Sequence, residues 1–138
     1  MIGLFHFTRM KPATGGSQAF LYAAGVFNFA AALILVVLAR LAPQLLGVDP
    51  PSSSQLMYVD LFALLVVGFG IGYTLGGVDL ARFWPFISLG VVGKAGVAAI
   101  ALVYFVTGNT GPLVILLATG DAVFAVLFVR LLRAHASA

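Results

Sequence analysis

The chain has 138 residues, of which 62% are hydrophobic and 8% are charged, with a formal net charge of +3. Soluble domains carry about 25% charged residues, so this composition excludes an ordinary water-soluble domain and predicts an integral membrane protein. The lack of cysteine excludes disulfides, thiol redox chemistry and thiolate metal sites. Most basic residues lie at or beyond the ends of apolar runs, which indicates membrane topology rather than nucleic-acid binding.

The segment up to Gln18 begins with apolar residues and continues with Arg9 and Lys11. This order is typical of a short segment lying on the membrane surface, and a frayed terminus fits it equally well. No cleavable signal is expected, because the first long apolar run exceeds a signal h-region and follows basic residues, as a start-transfer anchor does.

Four apolar runs are each long enough to cross a bilayer as a helix. They cover positions 19–41, 56–76, 83–106 and 112–132. The prediction is an all-α protein, with one four-helix transmembrane domain over positions 1–138. The short connections place consecutive helices antiparallel.

The basic residues predict which side of the membrane each end occupies. With four spans, one side carries Arg9, Lys11, Arg82, Arg130 and Arg133, and the other carries only Arg40. Cytoplasmic loops are enriched in Lys and Arg, so both termini are predicted to lie in the cytoplasm.

The strongly polar residue of the first span is Asn28, which shares a helix face with Ala24 and Ala32 because the three are spaced by four. Small residues permit close helix approach, and an amide between them forms hydrogen bonds across the contact. Asn28 is therefore predicted to be a packing residue, with contact to a substrate as the alternative.

The second span carries Gly68, Gly72 and Gly76, which form two consecutive G-x-x-x-G units. This pattern predicts a flat strip for close helix contact and does not say whether the partner helix belongs to the same chain. Asp60 lies about one turn inside this span, where its carboxylate is expected to reach interfacial water. Further polar contacts are possible for it.

Positions 77–82 are predicted to form a short loop that leads into the third span. Trp84 is placed at the interface as an aromatic anchor, and Pro85 suits a first helical turn. The span that follows contains one charge, Lys94, near its middle, with Gly90 and Gly93 beside it as small packing residues.

Lys94 has a candidate partner in the fourth span. At the helical rise Lys94 lies about 16–17 Å from the cytoplasmic edge, and Asp121 lies at about the same level. A midplane charge costs about 2.5–3.5 kcal/mol on insertion scales, so the two side chains are predicted to meet. Thr119 is a possible further polar contact nearby.

Two interpretations of the pair remain open. In the first, Lys94 and Asp121 form a buried ion pair that fixes helix packing. In the second, they bind an ion, a proton or a polar substrate, because intramembrane ionisable groups often mark pathways. Contact with a different subunit is a third case.

The sequence offers no recognisable catalytic or metal-binding set. His6 and His135 lie in the terminal segments, and the aspartates form no local cluster. No nucleophile and base, phosphate-binding loop or dinucleotide fingerprint is present. We therefore expect no metal, no cofactor, no catalytic residue and no nucleic-acid partner.

Three motifs together suggest a family: Asp79-Leu80-Ala81-Arg82-Phe83-Trp84-Pro85, then Gly93-Lys94, and finally Gly120-Asp121. This pattern in the third and fourth spans resembles small bacterial four-helix membrane proteins of the DoxX-like group. The resemblance implies a bacterial inner-membrane location and a four-helix layout. Relatives that act in thiol redox chemistry depend on cysteine, so that activity does not carry over.

The expected function is that of a non-catalytic membrane protein, acting as an accessory or structural subunit of a complex or a homo-oligomer. Its expected partners are the bilayer and other membrane subunits or itself. The alternative is a small oligomeric transporter or channel with Lys94 and Asp121 in its path. Few other polar residues lie in the spans, which counts against this alternative.

Overall fold

The computed structural model describes residues 10–136 and is all-α. Its α-helices are α1 Gly16–Leu41, α2 Ser53–Val78, α3 Leu80–Val106 and α4 Pro112–His135, and a 3₁₀ helix covers Pro43–Leu46. Each α-helix is long and apolar enough to span a membrane, so the chain is a multi-pass membrane protein by length and composition. The predicted surface segment lies mostly outside the described residues, as do Arg9 and His6.

Local sequence signals set the helix ends. The Ser52 hydroxyl accepts from the Gln55 backbone, and the Gln55 side chain accepts from the Ser52 backbone, which together form a capping box at α2. Pro112 occupies the first turn of α4, where a missing backbone N–H has no helical partner to lose. Gly47 ends the 3₁₀ helix at φ 73°, a left-handed conformation that favours glycine.

The predicted loop at positions 77–82 is wrong, because the connection between α2 and α3 is the single residue Asp79. Its backbone N–H donates to the Leu75 carbonyl at 2.9 Å and ends α2. Its carboxylate accepts from the Arg82 backbone N–H at 3.1 Å and caps α3. Since α3 begins at Leu80, Pro85 lies inside the helix rather than in its first turn.

The helices associate mainly as two pairs, α1 with α2 and α3 with α4. One end of the molecule, here called the terminal end, contains both ends of the described chain. There the Lys11 backbone N–H donates to the His135 carbonyl at 2.9 Å. At the same end the Gln18 side chain donates to the Gly77 carbonyl at 2.9 Å. The first turns of α1 therefore lie beside the last turn of α2.

The opposite end, called the 3₁₀ end, holds the connection between α1 and α2, which includes the 3₁₀ helix. The carbonyl of Leu46 accepts from the Gly111 backbone N–H at 2.9 Å and from the Thr110 hydroxyl at 3.2 Å. Leu46 is buried under this connection. The 3₁₀ helix thus ties the α1–α2 connection to the start of α4.

The core concentrates toward the terminal end and is rich in aromatic rings. Tyr73 and Phe128 are fully buried, with ring centroids 4.8 Å apart. Phe20 of α1 stacks on Phe124 of α4, with centroids 5.6 Å apart. Large apolar side chains cover the outer surface, as expected where lipid is the solvent.

Candidate functional site: a polar cluster and its cavity

One polar cluster joins all four α-helices near their middles. Lys94 of α3 donates from Nζ to Asp121 Oδ1 of α4 at 2.5 Å and to Asn28 Oδ1 of α1 at 2.8 Å. Asn28 Nδ2 donates in turn to the Val66 backbone carbonyl of α2 at 3.0 Å. The sequence-predicted residues Lys94, Asp121 and Asn28 are therefore brought together, and a backbone carbonyl completes the set.

The cluster is shielded from the surroundings of the protein. Lys94 is 5% exposed, whereas the Asp121 side chain keeps 19% of its surface. An unpaired charge at this depth costs several kcal/mol, and a pair in contact recovers much of that cost through attraction and hydrogen bonds. The geometry meets this requirement between two helices of one chain.

Three aromatic rings lie close to the ammonium group. Lys94 Nζ lies 5.0 Å from the ring centroid of Phe27, 5.4 Å from that of Phe124 and 5.5 Å from that of Tyr73. Ring faces attract a cation at these distances, and the attraction strengthens where water is excluded. The rings therefore hold the ammonium in position while its hydrogen bonds fix its direction.

Small residues allow these groups to approach. A Cβ on Gly90 would lie 2.5 Å from the Tyr73 hydroxyl oxygen, so α2 and α3 come close only because this residue is glycine. Likewise, a Cβ on Gly76 would lie 2.8 Å from the Ile87 side chain, and a Cβ on Gly72 would meet the ring of Phe86. Gly93 meets only Phe69, at an ordinary contact distance of 3.8 Å.

Gly68 differs from the other two glycines of its strip. No atom of the described residues lies within 4 Å of the position of its would-be Cβ. The strip of α2 is thus divided: Gly72 and Gly76 are occupied by α3 of the same chain, and Gly68 faces outward among exposed apolar side chains.

Asp60 and Thr119 are placed away from the cluster. Both carboxylate oxygens of Asp60 accept from Arg40 Nη2, at 2.9 and 2.8 Å, and both side chains are partly exposed. The Thr119 hydroxyl donates to the Ile115 carbonyl of its own helix at 2.8 Å, on an exposed face. Trp84 is partly buried and packs against the core at the terminal end.

A cavity of about 260 Å³ adjoins the cluster. Asn28, Lys94 and Asp121 line it, and its other walls are almost wholly apolar. Each α-helix contributes lining residues from one of its faces, because residues three or four apart lie on the same side of a helix. They include Ala32 and Leu35 of α1, Phe62 and Phe69 of α2, Val97 and Ala101 of α3, and Leu117 and Ala118 of α4.

The cavity runs from the cluster toward the 3₁₀ end. Apart from Tyr73, its lining lies near the level of Lys94 or between that level and the connections at that end, and Leu46 of the 3₁₀ helix is among the lining residues. On the terminal side of the cluster the buried rings of Tyr73 and Phe128 fill the interior. The polar groups therefore lie at one end of the cavity, here called its deep end.

The donor set is not that of a metal centre. Among residues 10–136 no group of three His, Cys, Asp or Glu side chains could hold a metal ion. The cluster instead offers one ammonium, one carboxylate and one amide, which suit hydrogen bonding and electrostatic pairing of helices.

Sequence reasoning missed several contributors to the site. The Val66 carbonyl has no side-chain signal, because every residue carries a backbone carbonyl. Phe27, Tyr73 and Phe124 look like ordinary apolar residues of a membrane helix until the rotation of each helix is known. Of the three, Phe124 alone could be placed beside the pair from the sequence, because it lies three residues after Asp121 and shares its helix face.

Comparisons of the chain with models of protein families, with curated proteins and with solved structures give no match. The resemblance to DoxX-like proteins therefore stays a prediction that rests on the short motifs of the third and fourth spans.

Proposed function

We propose that this chain is a non-catalytic, multi-pass protein of the bacterial inner membrane that serves as an accessory or structural subunit of a membrane complex or a homo-oligomer. Its four helices form an antiparallel bundle with both termini in the cytoplasm. In this proposal the Lys94–Asp121 pair fixes the packing of the bundle.

The observation that carries the proposal is the connectivity of the polar cluster. Lys94 bonds to α1 and α4, and Asn28 bonds onward to α2, so one set of hydrogen bonds links every helix. Such a set defines the rotation and depth of each helix relative to the others, which is a packing role. All of these hydrogen bonds join groups of the chain itself.

The antiparallel arrangement draws support from contacts at both ends of α1. Gln18, near its start, bonds to Gly77 near the end of α2. Arg40, near its end, pairs with Asp60 in the first half of α2. The cytoplasmic placement of the termini draws support from the basic residues of the terminal end, namely Lys11, Arg82, Arg130 and Arg133.

The subunit role draws support from the outward face of α2. Gly68 leaves a notch there, flanked by the exposed side chains of Leu64, Leu65 and Ile71. A glycine whose would-be Cβ meets no atom of residues 10–136 leaves room for the close approach of another helix.

The test is gentle extraction of the chain from its native membrane into polymer-bounded bilayer discs, followed by mass analysis of what remains bound. We expect stoichiometric companions or a second copy, and a Gly68→Ile variant is expected to lower their occupancy about tenfold, equivalent to 1.4 kcal/mol. The control is Gly96→Ile, since Gly96 also has open space around it but lies on α3. Recovery of the wild type as a monomer without companions would refute the subunit role.

A second candidate is a small oligomeric transporter or channel that uses Lys94 and Asp121 in an ion, proton or polar-substrate path. The observation in its favour is that the cavity ends at these two residues. The apolar character of the remaining walls disfavours a hydrated path. Flux measured in proteoliposomes, absent from a Lys94→Met/Asp121→Leu double variant, would establish this function instead.

A further inference from the structure

We infer that the cavity between the polar cluster and the 3₁₀ helix is a binding site for a neutral, lipid-soluble molecule with a carbonyl or hydroxyl oxygen at one end of an apolar body of about ten carbons. This inference goes beyond the packing role proposed above, and it does not depend on any partner subunit. Four features of the cavity carry it: its size, its mouth, its charge balance and an available hydrogen-bond donor.

The size of the cavity sets the size of the molecule. Protein interiors are close-packed, and most voids in them are no larger than a water molecule, so a pocket of about 260 Å³ between the helices is large by comparison. An apolar cavity of about 150 Å³ stays free of water and accepts one six-carbon ring. In proportion, the space here matches about ten carbons.

The mouth of the cavity faces lipid rather than water. Leu65 and Phe62 of α2 line the cavity, yet they are 65% and 44% exposed on the outer surface of an apolar helix. The aqueous route from the 3₁₀ end is obstructed by buried Leu46 and by the hydrogen bonds between the 3₁₀ helix and the start of α4. A molecule dissolved in the bilayer therefore has the more direct entry, past α2.

The charge balance at the deep end excludes a charged head group. Lys94 and Asp121 neutralise each other, and a third charge beside them would be buried without a partner, which is strongly unfavourable. The surrounding rings of Phe27, Phe124 and Tyr73 offer no counter-charge. A neutral head group avoids this penalty.

One donor at the deep end is available for that head group. An ammonium has three hydrogens, and within the described residues two oxygen atoms accept from Lys94 Nζ, those of Asn28 and Asp121. The third hydrogen can be donated to a carbonyl or hydroxyl oxygen that enters the cavity. The apolar walls toward the 3₁₀ end then receive the hydrocarbon part.

The experiment uses the full-length protein in bilayer discs and a ten-carbon aliphatic alcohol that carries a photoreactive diazirine on its chain. Labelled positions are mapped by mass spectrometry. We expect labelling of residues on the α2 and α3 walls, with at least about tenfold loss in a Val97→Phe variant, which places a larger side chain in the cavity and keeps all cluster residues. The matched control, Val103→Phe on the lipid-facing side of α3, is expected to label within about twofold of wild type.

Competition with unlabelled compounds tests the head group separately. 1-Decanol and 2-decanone are expected to compete at about tenfold lower concentration than decane or decanoate. Equal competition by decane would show that only a hydrocarbon chain occupies the cavity, and stronger competition by decanoate would show an anion site; either result overturns the inference.

Labelling that is unchanged in Val97→Phe, or that spreads evenly over lipid-facing residues, would also overturn it. The thermal melt of each variant, measured in the same discs, distinguishes loss of the site from loss of the fold. The extraction experiment described above fails or succeeds independently, because it measures companions rather than a small molecule.

Discussion

At the scale of single residues, the central fact is that a lysine ammonium is stable near the middle of a membrane-spanning helix. Three kinds of contact make this possible: the ion pair to Asp121, the neutral hydrogen bond to Asn28 and the ring faces of aromatic neighbours. None of these alone offsets a cost of about 2.5–3.5 kcal/mol or more. Removing any one partner is therefore expected to lower the stability of the protein.

The ion pair is best tested by a double-mutant cycle. Lys94→Ala and Asp121→Ala should each lower the stability of the protein by about 3–5 kcal/mol, because each leaves an uncompensated buried charge. The double variant should lose much less than the sum, since it removes both charges. Thermal melts in detergent provide the measurement, and Thr119→Ala is the control with an expected effect near zero. Additive losses would mean that the two side chains are not energetically coupled.

Glycine contacts give a second residue-scale prediction. Gly90→Ala places a methyl group against the Tyr73 hydroxyl oxygen and should cost about 1–3 kcal/mol through overpacking. Gly96→Ala, two turns further along the same helix, meets open space and should be neutral or slightly stabilising because alanine favours helix. The two melting temperatures should differ accordingly. A Gly96→Ala variant as unstable as Gly90→Ala would contradict the packing described for α3.

At the scale of elements, the molecule consists of two helix pairs joined by a connection of one residue. Asp79 closes α2 with its backbone and opens α3 with its carboxylate, so the two helices meet at a fixed angle near the terminal end. Toward the 3₁₀ end, both α2 and α3 line the cavity. The tight connection and the cavity thus lie toward opposite ends of α2 and α3.

The pair formed by Arg40 and Asp60 links α1 to α2 at the 3₁₀ end and predicts a weak effect. Both side chains are partly exposed, and exposed ion pairs contribute about 0.2–1 kcal/mol. Asp60→Asn should therefore shift the melting temperature far less than Asp121→Asn, although both changes remove one carboxylate charge. Raising the salt concentration should reduce the effect of Asp60→Asn and leave that of Asp121→Asn nearly unchanged. Equal losses from the two changes would show that Asp60 is buried in the membrane environment.

Sequence alone predicted the four helices because length and apolarity suffice to identify a membrane span. It placed Lys94 and Asp121 at one depth because helical rise is constant along each span. It did not predict that Asn28 bonds to Lys94, since that contact depends on the rotation of α1 about its axis. The prediction of a loop at positions 77–82 was wrong for a local reason. One aspartate that caps the next helix suffices for the turn, and a proline is tolerated within that helix.

At the scale of the whole molecule, the surface is apolar around the helices. Apart from Lys94 and Asp121, the charged side chains of the described residues lie near the two ends of the helices. This pattern fixes the depth of the chain in a bilayer and, through the excess of basic residues at the terminal end, its proposed orientation. The cavity lies in the half of the molecule that this orientation directs away from the cytoplasm.

The orientation of the chain in the membrane can be measured by cysteine labelling. The chain contains no cysteine of its own that would react with the reagent. Ser54→Cys at the 3₁₀ end should react with a membrane-impermeant maleimide in intact spheroplasts, and Ala134→Cys at the terminal end should react only after permeabilisation. Both positions are exposed, so access to the reagent is not limited by the fold. The reverse pattern would invert the proposed topology while leaving the helix contacts unaffected.

The 2.5 Å contact between Lys94 and Asp121 has a consequence for how the protein responds to voltage. Moving one elementary charge across a membrane potential of 100 mV involves about 2.3 kcal/mol, which is how charged helices sense voltage. Here two opposite charges lie at the same depth, so the electrical work on one cancels the work on the other whenever they move together. While the pair is intact, the membrane potential exerts almost no net force on the centre of the protein. The depth of this pair in the membrane is therefore the same whether the membrane is energised or not.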